Sequence, residues 1–129
     1  MHPSQELKDR TKKFAIRVMR VCKALCANRA VRPICDQLLR SGTSVAANYR
    51  AACRSRSDAE FVAKLGFVIE EADETAFWLE LLGEAGEIDQ RKLTELIDEA
   101  RQLVRIFSAA RRTTKSRMEI EKSKMKNEK

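Results

Sequence analysis

Apolar residues recur along most of the chain with the spacing of an amphipathic helix. In the first segment Phe14, Val18 and Leu25 belong to one stripe, which further apolar residues widen. Residues three and four apart share one face of a helix, so this spacing is typical of a helix packed on a core. The pattern predicts a first helix over residues 4–27.

The second apolar segment differs from the first because small and polar residues stand on its seam. Pro33 follows a polar break and suits the first turn of a helix. The stretch SGTSVAANYR around Gly42 offers mostly small side chains, which let two helices approach closely. Ser44 and Asn48, one turn apart, can hydrogen-bond across the interface and fix its register. The second predicted helix spans residues 33–53.

The third predicted helix begins with a capping box. In SDAEF, Ser57 is the N-cap, and Glu60 three residues later can satisfy backbone amides that the first turn leaves unpaired. Apolar residues then recur at alternating spacings of four and three from Phe61 to Leu82, and the pattern breaks at Gly86. We therefore predict one long helix between these points.

A fourth helix is predicted from Asp89, a suitable N-cap, with a buried stripe from Leu93 to Phe107. Downstream the apolar period is lost, and KSRMEIEKSKMKNEK is mostly charged. A segment of this composition has too little apolar surface to fold alone. We therefore expect a bundle domain over residues 1–112 and a frayed, disordered tail over residues 113–129.

Four amphipathic helices joined by short connections predict an all-α protein, folded as an up-down-up-down antiparallel four-helix bundle. The composition favours helices, since the chain holds only four glycines and two prolines. No apolar stretch approaches the ~20 residues that span a bilayer, and the first residues contain no apolar signal core. We expect a cytoplasmic protein without membrane contact.

The net charge of +7 is unevenly distributed along the chain. Residues 1–57 hold 13 Lys/Arg and three Asp/Glu, residues 58–100 hold three and 13, and residues 101–129 hold 10 and three. Such blocks indicate either attraction between segments or subunits, or a basic surface that meets nucleic acid.

Basic residues of the first helix line up away from its apolar stripe, and two more arginines follow the second helix. This candidate nucleic-acid-binding set consists of Arg10, Lys13, Arg17, Arg20, Arg54 and Arg56. Such a stripe can neutralise backbone phosphates without reading sequence. It lacks the interleaved aromatic residues that stack on single-stranded bases. The alternative is an ordinary solvated helix face.

The third helix carries large apolar residues opposite its seam. Phe67, Trp78 and Leu81 share this side with Glu71 and Glu74. Exposed aromatic patches usually mark interfaces. We therefore expect this face to meet a basic face of another subunit, in a heterologous contact able to close into a ring. The alternative is that the C-terminal extension of the same chain covers Trp78.

The chain offers little for catalysis or metal binding. Its one histidine, His2, lies at the terminus, so no His-based dyad or triad can be proposed. Glu70, Glu71, Asp73 and Glu74 fan around the third helix and lack the Glu-x-x-His pairs of di-metal bundles. We interpret them as solvated or paired charge, and we expect no enzymatic activity, metal or cofactor.

The cysteines occupy apolar helical positions. They are Cys22, Cys26, Cys35 and Cys53. In such positions cysteine behaves as a small hydrophobic residue, and we interpret all four as buried free thiols of a reducing compartment. A four-thiolate zinc site is conceivable because Cys22 and Cys26 share a helix face, but the spacing matches no usual zinc finger.

The stretch DQLLRSGTSVAANYRAACRSRSDAEF resembles part of a known family. The chain is similar to the bacterial four-helix bundle proteins often called 23S rRNA intervening-sequence proteins, whose hallmark is Gln-Leu, Arg and Ser-aliphatic-x-x-Asn, then Arg/Lys-Ser and Glu-Phe. The matching positions are Gln37, Leu38, Arg40, Ser44, Val45, Asn48, Arg56, Ser57, Glu60 and Phe61. The resemblance extends over residues 14–110. Many members continue after the Asn with aliphatic-Ala-Glu-Gly, whereas this chain has Tyr-Arg-Ala-Ala at residues 49–52.

The resemblance implies a bundle, commonly a homopentamer, with no established enzymatic activity. Some members are encoded inside insertions of ribosomal RNA genes, and the related accessory variability proteins of diversity-generating retroelements are associated with nucleic acid and a reverse transcriptase. RNA or DNA is therefore an expected partner beside the protein itself. The motif residues are expected to maintain the bundle. The alternative function is a protein-interaction adaptor with no nucleic-acid role.

Overall fold

The computed structural model of the protein describes residues 5–128 and contains four helices. They are α1 (Gln5–Leu25), α2 (Arg32–Cys53), α3 (Asp58–Glu84) and α4 (Gln90–Asn127). Each helix packs against the next one in the chain, and α1 also meets α4, which closes the ring. The predicted all-α, antiparallel four-helix bundle is confirmed, and α1, α2 and α3 begin and end within two residues of the predicted bounds.

The core is built from large apolar side chains that all four helices contribute. Fully buried members include Phe14, Val18, Leu38, Tyr49, Leu65, Leu79, Leu103 and Phe107. The rings of Tyr49 and Phe107 lie 4.8 Å apart between centroids and join α2 to α4. Each such side chain contributes about 1.5–3 kcal/mol through burial. Tyr49, where the chain departs from the family pattern, is therefore part of the core.

The small residues of α2 let α1 approach closely, as predicted. A Cβ atom placed on Gly42 would lie 2.7 Å from a methyl carbon of Val18. The buried hydroxyls of Ser41 and Thr75 lie 2.9 Å apart and link α2 to α3. The hydrogen bond between helices that was predicted for Ser44 and Asn48 is therefore made by Ser41, one turn earlier on α2. Ser41 faces the core, whereas the side chains of Ser44 and Asn48 are only half-buried.

Local sequence sets the ends of α3 and the start of α4. Ser57 Oγ accepts a hydrogen bond from the Glu60 amide at 3.1 Å, as the capping box predicts, while the Glu60 carboxylate accepts from the Arg56 amide. Gly86 ends the α3 segment with a φ of 76°, a conformation that favours glycine. Asp89 caps α4 by accepting from the Arg91 amide.

The structure continues α4 to Asn127, whereas the sequence pattern predicts a disordered tail from residue 113. Contacts with the start of α3 hold the first part of this segment. Thr114 is buried, Arg111 donates to the Val62 carbonyl at 3.1 Å, and Arg117 pairs with Asp58 at 3.0 Å. Beyond Arg117, about ten residues project past the first residue of α3. We call residues 118–127 the overhang.

Candidate functional site

The up-down topology gathers the basic segments of the sequence at one end of the bundle. The start of α1, the end of α2, the start of α3 and the final turns of α4 all lie at this end. The two ends of the first basic block and the end of the last basic block therefore meet there, while α3 carries the acidic block toward the other end. We call this end the basic pole.

A groove lies between α1 and α2 at the basic pole. Its volume is about 590 Å³, and four cations line it: Lys8, Lys12, Arg50 and Arg54. Within residues 5–128 none of the four forms an ion pair. The acid on its wall, Asp9, accepts a hydrogen bond from Gln5 at 2.9 Å. We call this feature the basic groove.

Helix geometry explains the arrangement of the basic groove. Lys8 and Lys12 stand one turn apart on α1, Arg50 and Arg54 stand one turn apart on α2, and antiparallel packing brings the two pairs to the same groove. Thr43, Ala46 and Ala47 form a floor of small side chains. Neighbouring like charges repel each other, so a bound anion would stabilise the site. A chain of phosphates carries the opposite charge to these cations. It can come close to the groove because the side chains that form its floor are small.

The predicted cation stripe of α1 is only partly available to a ligand. Arg10 forms two hydrogen bonds with Glu99, at 2.7 and 2.8 Å, and a third with Gln102. The hydrogen bond with Glu99 raises the pKa of Arg10 above its usual value. Arg10 therefore holds α1 to α4. Lys13 and Arg20 are exposed further along the same helix, and Arg17 is half-buried.

Only one residue of the predicted nucleic-acid set, Arg54, lines the basic groove; Arg56 is exposed in the loop that follows. The sequence analysis did not select Lys8, Lys12 and Arg50. The spacing of four residues between Lys8 and Lys12, and between Arg50 and Arg54, is visible in the sequence. That the two pairs face the same groove follows only when α1 and α2 are placed side by side and antiparallel, and this arrangement was the available signal.

The acids expected to meet another subunit are bound within the chain. Arg40 donates to Glu71 at 3.1 Å and to Glu74 at 2.5 Å, and the indole of Trp78 donates to Glu74 at 3.1 Å. Hydrogen bonds, first from Arg40 and then from Trp78, lower the pKa of Glu74. Gln37 accepts a further bond from Arg40 at 3.4 Å. The motif residue Arg40 thus joins α2 to α3, and Gln37 of α2 accepts from the same guanidinium.

The outward side of α3 nevertheless remains strongly apolar. Phe67 is 58% exposed, Phe77 53% and Leu81 37%. Phe77 was not selected from the sequence, although it lies on the same side and its ring packs edge-on against Trp78, 5.0 Å between centroids. Trp78 itself is half-buried. We give the name α3 outer face to the surface formed by Phe67, Phe77 and Leu81 together with the acidic residues next to them on α3.

The described part of the chain contains no cluster of metal ligands. No three His, Cys, Asp or Glu residues of residues 5–128 are grouped so that they could hold a metal ion. Cys22 and Cys35 are buried free thiols, and burial raises the pKa of Cys22 to about 11. Cys26, just past the end of α1 at Leu25, is exposed and Cys53 is half-buried, which corrects the expectation of four buried thiols.

His2, the one histidine of the chain, lies outside the described residues. Among the described helices, none has a stretch long and apolar enough to cross a bilayer.

Comparisons with known proteins place the fold in a family. The model of the family described as 23S rRNA-intervening sequence protein matches residues 4–109. A crystal structure of a protein of unknown function from the S23 ribosomal protein family of Bacteroides thetaiotaomicron VPI-5482 is 32% identical, with a TM-score of 0.76. That match covers 80% of this chain and 95% of the other. No curated protein matches. The chain belongs to the 23S rRNA-intervening sequence protein family.

Proposed function

We propose that this protein is a non-catalytic, homo-oligomeric scaffold that binds RNA or DNA without sequence preference, through the basic groove and the cations around it. The observation that carries the proposal is the basic groove itself. Four cations share one concave surface, and within residues 5–128 no carboxylate pairs with any of them. Phosphate binding would relieve their mutual repulsion and release counterions from the nucleic acid.

The chemistry of the groove favours contact with the backbone of a nucleic acid over contact with its bases. No aromatic side chain lines it, so it has no platform on which a base could stack. Lysine and arginine supply charge, and the small floor lets a phosphate chain lie close to both helices. Exposed Arg56 adds charge at the pole, while exposed Lys13 and Arg20 carry the charge along α1 toward the other end. Arg10 is excluded from the binding set because Glu99 holds it.

Fluorescence anisotropy with mixed-sequence RNA and DNA tests the proposal. The groove variant Lys8→Gln/Lys12→Gln/Arg50→Gln/Arg54→Gln should bind much more weakly than the wild type. If each cation meets one phosphate, raising salt from 50 to 200 mM should weaken wild-type binding on the order of 100-fold. The groove variant should show a much shallower salt dependence.

The matched control removes the same number of charges from elsewhere. Lys23, Arg29, Arg32 and Arg91 are exposed near the other end of the bundle, and their quadruple Gln variant should retain most of the affinity. Equal loss in both variants would indicate that net charge alone matters and would contradict a groove site. Absence of wild-type binding even at 50 mM salt would refute the nucleic-acid function.

The exposed apolar side chains of the α3 outer face favour a second candidate, an adaptor that captures another protein. Such a contact would bury apolar surface, and capture would change little with salt.

The subunit number of the homo-oligomer, five, is implied by resemblance to the family.

A further inference from the structure

The outward side of α1 carries apolar residues among cations. Ile16 is 41% exposed and Met19 is 51% exposed. They are three positions apart, so they lie on the same side of the helix. The exposed cations next to them are Lys13, Arg20 and Lys23. We call the surface formed by these residues the α1 outer face.

The charge of the α1 outer face is not compensated within its own chain. In residues 5–128 none of its cations forms an ion pair. From Thr11 to Leu25 the helix contains no acidic residue. At 3.6 residues per turn, the α1 outer face falls within an arc of about 120°. It is therefore one continuous surface that is both apolar and basic.

The α3 outer face combines apolar surface with the opposite charge. Its exposed apolar residues are Phe67, Phe77 and Leu81. Its exposed acids without an ion pair in the described chain are Glu70, Asp73 and Glu84. All of these residues also fall within an arc of about 120°. The two outer faces are therefore complementary in charge and alike in apolar character.

The order of residues along the two outer faces also matches. On each face two apolar residues stand between two charged ones. On α1 the order is Lys13, Ile16, Met19 and Lys23. On α3 the order is Asp73, Phe77, Leu81 and Glu84. At 1.5 Å per residue the first set is about 15 Å long and the second about 17 Å, so apolar and charged positions can coincide.

The two outer faces cannot meet within one chain. The α1 helix packs against α2 and α4, and within residues 5–128 it makes no contact with α3. The α1 and α3 helices therefore stand at opposite corners of the bundle, and their outward sides point away from each other. A second copy of the chain can bring an α1 outer face and an α3 outer face together.

We propose that the α1 outer face of one copy docks on the α3 outer face of a second copy. This deepens the proposed function, because it rests on the homo-oligomer proposed there and names the helix surfaces that join its subunits. The apolar residues of the two faces cover each other, and the cations of α1 face the unpaired acids of α3. Because the two faces differ, the contact is heterologous and builds a ring or a chain of subunits.

The docking divides the basic residues of α1 between two tasks. Lys13 and Arg20, which the sequence placed in the nucleic-acid set, belong to the subunit contact. Lys8 and Lys12 line the basic groove nearer the start of α1, outside the α1 outer face. The basic groove therefore stays open to nucleic acid in the assembled protein.

The mass of the full-length protein in solution, measured by light scattering during size exclusion and by sedimentation velocity, tests the docking. The wild type should exceed the 14.7 kDa of one chain. Ile16→Glu/Met19→Glu and Phe77→Glu should each shift the mass toward that value. The matched control is Ile120→Glu/Met125→Glu, which changes two exposed apolar residues of the overhang and should keep the wild-type mass. All of these positions are exposed, so circular dichroism should show the wild-type helix content.

A charge exchange tests whether these two faces contact each other. One variant carries Lys13→Glu/Arg20→Glu/Lys23→Glu, and another carries Glu70→Lys/Asp73→Lys/Glu84→Lys. Each variant opposes like charges at the contact and should associate on the order of tenfold more weakly, or less than that if the acids are spread apart. A single chain that carries both sets of substitutions restores opposite charges at every contact, and it should regain the wild-type mass.

Each outcome supports or overturns a stated proposal. A monomeric wild type would overturn both the docking and the proposed homo-oligomer. A wild-type oligomer whose mass Ile16→Glu/Met19→Glu leaves unchanged would overturn the docking alone, and so would a doubly reversed chain that stays dissociated. If the variant with reversed α1 cations keeps its mass but loses affinity for RNA or DNA in the anisotropy assay, the α1 outer face belongs to the nucleic-acid surface, and the docking is again wrong.

Discussion

The close packing of α1 against α2 depends on a missing side chain. Gly42 of α2 faces Val18 of α1, which is fully buried and branched at Cβ. Such a side chain has few rotamers in a helix, so it cannot swing away from an added carbon. The distance between α1 and α2, and with it the shape of the groove further along the same helix pair, depends on glycine at this position.

Gly42→Ala should destabilise the protein. The added Cβ would lie 2.7 Å from Val18 Cγ1, and overpacking of this kind costs about 1–3 kcal/mol. That exceeds the roughly 0.5–1 kcal/mol that alanine gains over glycine inside a helix. Urea denaturation measures the difference. Gly66→Ala is the matched control, because its nearest neighbour is Arg111 Nε at 3.8 Å; this variant should be equally or more stable than the wild type.

A second prediction at the residue scale concerns pH. Since Arg40 lowers the pKa of Glu74 in the folded protein, the stabilisation from this pair is complete above the ordinary value of 4.5 and is lost as pH falls through the lowered one. Arg40→Ala should therefore reduce the melting temperature at pH 7, and its difference from the wild type should shrink as pH falls toward 3.

Thermal melts from pH 3 to pH 7 measure this convergence. Arg91→Ala serves as the comparison, because the exposed Arg91 side chain makes no ion pair within the described residues. Its profile should run parallel to that of the wild type. An Arg40→Ala profile that also stays parallel would show that the Arg40–Glu74 pair contributes nothing to acid sensitivity.

At the scale of elements, local signals were predictable and long-range partners were not. The Ser57–Glu60 cap and the Asp89 cap depend on residues up to three positions apart, so the sequence displays them directly. Arg10 pairs with Glu99, 89 residues away, and no periodic pattern reveals such a partner. The helical state of residues 113–117 is not predicted for the same reason, since Arg117 pairs with Asp58 of α3 and Arg111, just before the segment, donates to the Val62 carbonyl.

The contacts of residues 111–117 predict a difference between two truncations. Chains ending after Arg117 and after Ala110 both lack the overhang, but the shorter chain also loses the Arg111 bond to the Val62 carbonyl and the buried Thr114. The shorter chain should be less stable by about 1–3 kcal/mol. Urea denaturation of both at one dilute concentration measures the difference. Equal stabilities would mean that α4 contributes nothing to the bundle beyond Ala110.

At the scale of the whole molecule, the sequence showed that charge is segregated but not where it collects. Three blocks along the chain become a basic pole and an acidic α3 only after the helices fold antiparallel. The same folding step assembles the basic groove from two helix ends that are about 40 residues apart in sequence. The bundle was therefore predictable from the apolar periodicity. For the candidate binding surface, the sequence predicted the positive charge but not its position on the molecule.

The position of Trp78 gives the protein an intrinsic optical reporter. It is the single tryptophan of the chain, and its half-buried indole donates to Glu74 and stacks edge-on with the exposed Phe77. Its emission wavelength and quenching by iodide therefore follow the water content of the α3 surface without any attached dye. A subunit that settles on that surface would shift the emission to the blue, so assembly can be followed in real time by stopped-flow mixing of unlabelled protein.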